Sequence, residues 1–189
     1  EADYCAVKMP VFSFEKLADV DTGLGPEMKS TGEVLGIAES FPQALLKAFK
    51  GANMRAPRKG GLIIITVMDE DKREAIGIAR GFADLGVEIL GTEGTCQMLE
   101  KAGVPCTQVA RVSERHPNIM DMIASGTIDL VINTPTRGRK QNTDGFKIRR
   151  ATVEHSVGCV TAIDTARALL TARQQGRSRD LQAIDITKI

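Results

Sequence analysis

The feature that most constrains this chain is Leu62-Ile63-Ile64-Ile65-Thr66-Val67, an aliphatic run with no polar alternation. A strand with one wet face alternates, whereas a strand apolar at every position is covered on both faces. C-terminal to the run, helical and strand patterns alternate. The spacing predicts a helix from about Lys72 to Leu85, with Ala75, Ile76, Ala79, Phe82 and Ala83 on one face and Gly86 as its stop. Val87 to Leu90 reads as a second strand, about Cys96 to Ala102 as a helix ending at Gly103, and Val104 to Val109 as a third strand. Ile119 to Ala124 is a short helix ending near Gly126, and Leu130-Val131-Ile132 is the fourth strand. Asp144 to about His155 is the next helix and Cys159 to Ile163 the fifth strand. Asp164 or Thr165 caps a last helix through about Gln174, and the polar tail from Gly176 holds a weak strand at Leu181-Ile184-Ile186. Strands separated by helices need crossovers, so the sheet is expected to be parallel. The fold class is α/β, a three-layer open parallel sheet of about five strands.

The first fifty residues read differently. Cys5 to Phe14 has strand alternation, with Val7, Met9, Val11 and Phe14 apolar. Ser40-Phe41-Pro42 opens a short helix through Phe49, with Ser40 as N-cap and Ala44, Leu45, Ala48 and Phe49 as its apolar face. Between them, Leu24-Gly25-Pro26-Glu27-Met28-Lys29-Ser30-Thr31-Gly32-Glu33-Val34 predicts only a turn at Gly25-Pro26 and a second irregular place around Gly32. Such a segment cannot be a domain by itself. With Glu1 in place of an initiator Met, it suggests that the chain is the end of something larger. The expected organisation is residues 1–50 as a remnant of an upstream domain, 51–60 as a linker with Arg55, Arg58 and Lys59 solvated, and 61–189 as the α/β domain.

Composition sets bounds on function. A 42% hydrophobic and 26% charged chain of net charge +1 is that of a soluble globular protein, with no global field for nucleic acid or an anionic membrane. One Tyr, six Phe and no Trp leave few stacking platforms for single strands. No apolar run approaches a membrane span of roughly 18 residues. Cys5, Cys96, Cys106 and Cys159 form no C-x-x-C pair and read as inert thiols of a reducing cytoplasm. His116 and His155 lack metal-ligand spacing.

In an open parallel sheet, ligands sit beyond the carboxyl ends of the strands, where helix N-termini point. The loops there carry Thr66 and Lys72 after the first strand, then Gly91-Thr92-Glu93-Gly94-Thr95 after the second. Arg111 and Arg115 follow the third, and Asn133-Thr134-Pro135-Thr136-Arg137-Gly138-Arg139-Lys140 the fourth. Hydroxyls and amides at Thr66, Thr92, Thr95, Asn133 and Thr134, cations at Lys72 and Arg111, and a rim of Arg115, Arg137, Arg139 and Lys140 describe a phosphate or carboxylate site. Taken singly, each element also reads as ordinary structure: Thr92 as an N-cap, the Arg137 to Lys140 cluster as a solvated loop. No G-x-S-x-G, Walker loop or G-x-G-x-x-G stands at a strand-to-helix turn, and Asp69-Glu70-Asp71 reads as solvated. The domain reads as a binder of an anion, with no catalytic residue.

Leu24 to Val34 resembles the end of the second ATP-grasp half of the carbamoyl phosphate synthase large subunit. Gly60 onward resembles that subunit's C-terminal allosteric domain, of methylglyoxal-synthase-like fold, with Gly91 to Thr95 and Ile132-Asn133-Thr134 in matching order and spacing. The resemblance implies an ATP-dependent ligase making carbamoyl phosphate from bicarbonate and glutamine-derived ammonia, serving pyrimidine and arginine synthesis. ATP and Mg or Mn would belong to upstream ATP-grasp domains, and a glutaminase small chain would be a partner. This segment itself would hold no cofactor and make no carbamoyl phosphate. Its domain would bind a nucleotide effector such as uridine monophosphate, and Thr66, Lys72, Thr92, Thr95, Arg111 and Asn133 fall where the family places its nucleotide contacts. Arg111 replaces a lysine found in some members, and Pro135 a hydroxyl residue. Met9 and Cys159 replace a carboxylate and an aromatic residue associated with ornithine, which puts ornithine activation in doubt. A stand-alone lyase of the methylglyoxal synthase type is the alternative, disfavoured because His116 stands at the position of that family's base aspartate. An oligomerisation module is a third reading.

Overall fold

A computed structural model of the chain describes residues 3–11, 30–135 and 143–175. Two sheets lie within these residues. Strands β1 (Cys5–Val11) and β2 (Gly32–Ala38) form an antiparallel pair, with Val7 opposite Gly36 and Met9 opposite Val34. The second sheet is parallel and five-stranded, in the order β5-β4-β3-β6-β7. Its strands are β3 (Leu62–Thr66), β4 (Glu88–Gly91), β5 (Thr107–Gln108), β6 (Ile128–Asn133) and β7 (Gly158–Val160).

The aliphatic run is the central strand of that sheet. Ile63, Ile64 and Ile65 are each 0 to 1% exposed. Ile63 and Ile65 face a core with Ile89, Leu130 and Ile132, covered by α1 (Phe41–Gly51), α2 (Lys72–Asp84), α3 (Glu93–Lys101) and α6 (Ile163–Gln175). Ile64, with Leu90 and Val131, faces the opposite core, covered by α4 (Ile119–Ala124) and α5 (Asp144–Glu154). Each isoleucine contributes about 1.5–3 kcal/mol by leaving water. Helices α2, α3 and α4 are followed by Gly86, Gly103 and Gly126 at φ of 75°, 73° and 73°, the left-handed conformation that the sequence assigned to these stops.

Several boundaries differ from expectation. Helix α3 starts at Glu93, not Cys96, because the chain turns helical directly after Thr92. The third strand shrinks from Val104–Val109 to two residues, as an edge strand bonded only to β4. Ile163, expected in the fifth strand, opens α6. Phe14 and the proposed strand at Leu181–Ile186 lie outside the described residues, as do Leu24 to Lys29.

Strand β2 is the largest departure, since Gly32 begins a strand where irregular chain is expected. On its face toward α1, Gly36 and Ala38 are buried and Val34 lies against Gly51, while Leu35 on the other face is 59% exposed. Usual hydrophobic alternation is therefore inverted in size. A Cβ on Gly36 would collide with the Ala44 carbonyl and lie 2.6 Å from Ala48 N, so glycine is what lets α1 lie on the strand. Helix α1 in turn packs on α6, and Leu45, Leu46 and Phe49 share the core of Ile63 and Leu169. Arg55, Arg58 and Lys59 are exposed, yet Pro57 between them is buried and its carbonyl accepts from Arg173 Nε at 2.7 Å.

The cysteines correct another expectation. Cys96 on α3 and Cys106 before β5 form a disulfide with Cα atoms 5.2 Å apart. The C-x9-C spacing carries no signature. The pair meets because α3 folds back along the strand it leads into. Cys159 is a free thiol, and burial pushes it up to about 11.

Replacing Gly36 with Ala is expected to cost about 2 kcal/mol or more in urea denaturation, while Gly32→Ala, with open space around its Cα, should stay within about 0.5 kcal/mol. Cys106→Ser is expected to lower stability by somewhat under about 3 kcal/mol in non-reducing buffer, from the short closed loop, and to be indistinguishable from the parent chain under dithiothreitol.

Candidate functional site

Adjacent strands β3 and β6 send their chains to helices on opposite faces, α2 and α5. This is the switch point of an open α/β sheet, where a crevice forms beyond the strand ends. The register sets Thr66 beside Asn133, and Ile65 beside Gly91, so Thr66 and Asn133 end neighbouring strands and Thr92 follows the end of β4 at about the same level.

Two hydrogen bonds tie β3 to β6 there. Asn133 Nδ2 donates to the Thr66 carbonyl at 3.3 Å, and Met68 N donates to Thr134 Oγ1 at 3.0 Å. Asn133 and Thr134 are 2% and 6% exposed, unusual burial for polar side chains at a strand end. Arg149 of α5 reaches the same place, and its Nη1 donates to Asn133 Oδ1 at 2.5 Å. Burial holds the Arg149 guanidinium below the usual arginine range. The sequence reading missed Arg149. Its signal is a cation beside Ile148 on the face that buries Ala151 and Thr152.

The second loop is shaped by contact with α3. Thr92 takes the N-cap position but makes no side-chain bond to the helix, so its hydroxyl is not spent on capping. Thr95 is buried, with Cβ 3.1 Å from where a Gly91 side chain would begin, and Cys106 Sγ lies 3.2 Å from that point. A side chain at Gly91 would therefore be tightly packed against α3 and Cys106. Gly94 is surrounded by open space.

Lys72 is partly buried and Arg111 exposed, and both are paired locally. Lys72 begins α2, and its Nζ lies 2.6 Å from Asp69 Oδ1 in the preceding 3-10 turn Asp69–Asp71. Arg111 Nε lies 3.9 Å from Glu114 Oε1, and the same carboxylate accepts from the Arg111 amide at 2.8 Å. Arg115 is exposed on that loop. No described contact joins Lys72, Arg111 or Arg115 to the Thr66–Asn133 pair. Arg137, Arg139 and Lys140 lie outside the described residues.

The loop carrying Arg111 and Arg115 is closed by a capping box unread in the sequence. Asn118 Oδ1 accepts from Met120 N and Asp121 N, while Asp121 Oδ2 accepts from Asn118 N at 2.7 Å. His116 Nδ1 lies 2.6 Å from the same oxygen. The Asn118 amide, then His116, hold the Asp121 carboxyl below the ordinary aspartate range. An ionised Asp121 therefore stabilises the fold above the unfolded-state pKa, and that contribution is lost as pH falls through the lower folded value. Asn118→Ala is expected to cost about 1 kcal/mol at neutral pH. Asp121→Asn should flatten the fall in melting temperature seen on acidification below about pH 4, read by circular dichroism.

The arrangement offers hydroxyl, amide and guanidinium groups beyond the strand ends. The MGS-like domain family matches residues 74–161. The carbamoyl phosphate synthase large chain of Lachnoclostridium phytofermentans is 50% identical over 189 residues, all of this chain and 18% of that one. The large chain of Agathobacter rectalis is 52% identical over 172 residues, 90% of this chain and 16% of that one. A methylglyoxal synthase structure from Elizabethkingia anophelis aligns with a TM-score of 0.48 at 22% identity, covering 60% of this chain and 78% of that one. The chain thus spans about a fifth of the length of the curated relatives it matches. Across its whole length it resembles the C-terminal segment of a carbamoyl phosphate synthase large chain, and within that segment it carries an MGS-like domain.

Proposed function

We propose that this segment is the effector-binding, regulatory part of a cytoplasmic, glutamine-hydrolysing carbamoyl phosphate synthase large chain. Residues 61–189 form the sensing domain, residues 1–50 the end of the ATP-grasp synthesis domain, and 51–60 the join. The effector is phosphorylated, a nucleotide of the uridine monophosphate kind. The supporting observation is the meeting of Thr66, Asn133 and Thr134 at the β3–β6 switch point, with Thr92 after the adjacent strand β4 and Lys72 and Arg111 on the neighbouring loops. Phosphate oxygens only accept hydrogen bonds, and hydroxyls, amides and cations supply donors. The ATP and Mg or Mn of catalysis, the upstream ATP-grasp domains and the glutaminase small chain belong to the larger assembly, whose carbamoyl phosphate output this domain adjusts.

A thermal-shift panel of uridine and inosine monophosphates, phosphoribosyl pyrophosphate and N-acetylglutamate tests the reading. A ligand at one hundred times its Kd is expected to add about 2.7 kcal/mol of stability. Lys72→Ala or Arg111→Ala should weaken binding about tenfold, as expected for one lost charge-assisted contact. No shift with any of the four would sink the proposal. Formation of methylglyoxal from dihydroxyacetone phosphate by the same preparation would instead favour the lyase reading.

A further inference from the structure

We propose that Arg149 is a positioning residue that fixes the hydrogen-bonding polarity of this crevice and so its preference for a phosphate dianion. The inference rests on the anion-site reading above and names the residue that sets its specificity. A guanidinium has donors and no acceptor. With Arg149 Nη1 against the Asn133 side chain, the group facing it must be the carboxamide oxygen. The opposite flip would set N–H against N–H. The other end of the amide meets the Thr66 carbonyl, which only accepts, so both neighbours demand the same orientation. Two independent constraints therefore settle an assignment that is otherwise ambiguous for an asparagine.

The consequence lies on the NH2 side. One Nδ2 hydrogen serves Thr66, which leaves the second as a donor at the strand end. Thr134 is sorted in the same way. Its oxygen accepts the Met68 amide, and its hydroxyl hydrogen is left to donate. Both buried polar side chains at the end of β6 are thus turned into donors. Arg149 adds a half-buried positive charge with no carboxylate partner among the described residues. Gly145, in the first turn of α5, makes room for this pair, since a Cβ there would meet Arg149 Nη1 at 3.2 Å and Asn133 Oδ1 at 3.5 Å. An edge that presents these donors beside a positive charge favours a ligand with only acceptors. It rejects a neutral or protonated group whose own hydrogens would face them.

The test compares the parent chain with Arg149→Lys, Arg149→Gln and Arg149→Met, using uridine monophosphate, uridine and inorganic phosphate as probes in calorimetry. Resonances of the Asn133 side-chain amide are followed in nitrogen-proton spectra of the free proteins. Arg149→Met should weaken uridine monophosphate and phosphate at least tenfold, leave uridine unchanged and shift the Asn133 amide pair. Arg149→Lys, still a charged donor, should restore most of the phosphate affinity. Arg149→Gln keeps a neutral donor, so it should hold the amide resonances in place while losing charge. It also serves if the methionine variant does not fold. A purely structural role would lower melting temperature without changing the ratio of nucleotide to nucleoside affinity. Phosphate binding that survives Arg149→Met or Arg149→Gln with the parent's ratio, or an unmoved Asn133 pair in the methionine variant, overturns the inference. Failure of the parent chain to bind any of the phosphorylated probes overturns the anion site itself, and with it this role.

Discussion

Everything in this molecule is arranged around the two-sided burial of β3. Because Ile63 and Ile65 point one way and Ile64 the other, a helical layer must close each face. Helices on both faces in turn require chain crossings that reverse somewhere along the sheet. That reversal falls between β3 and β6. The crevice is thus a by-product of covering a hydrophobic strand, and its position follows from the burial of three isoleucines. Polar chemistry is then possible only where β3 runs out of aliphatic residues, at Thr66.

The polar groups at that point hold one another before they hold anything else. Thr66, Met68, Asn133, Thr134 and Arg149 come from two strands, the two loops that follow them and a helix, and their bonds cross between elements. Lys72, partly buried, and Arg111, exposed, are by contrast paired with exposed carboxylates three residues away along the chain. Solvent-accessible pairs of that kind are worth little and exchange readily with water or another anion. The inner set has fixed orientations, while the outer set contributes charge from flexible side chains.

The division also explains what could be read in advance. Continuous aliphatic runs, helix periods and glycine stops report local geometry, so the parallel sheet, α2 and α4 were legible from residues such as Ile63–Ile65, Gly86 and Gly126. Register-dependent features were not. Arg149 lies sixteen residues from Asn133 in sequence, and the disulfide joins residues with no recognised spacing. Strand β2 escaped for another reason: its buried face is Gly36 and Ala38, while the larger Leu35 points outward. A hydrophobicity pattern weighs side-chain size, and here close approach of a helix backbone demanded its absence. Asn118 and Asp121 form a readable capping signature, an Asn followed three residues later by Asp, directly after a charged loop.

Helix α1 belongs by sequence to the segment before residue 51, yet Leu45 and Phe49 are packed against elements that come after residue 60. The seam that ancestry would draw through the chain is therefore not a seam in its hydrophobic interior. A cut between residues 51 and 60 would strip α6 of its neighbour and remove the Pro57 carbonyl or its support from Arg173. Swapping the α/β domain between related chains at that join would bring together two half-cores from different sequences. The exchangeable unit is the one that carries its own β1–β2 pair and α1 with it.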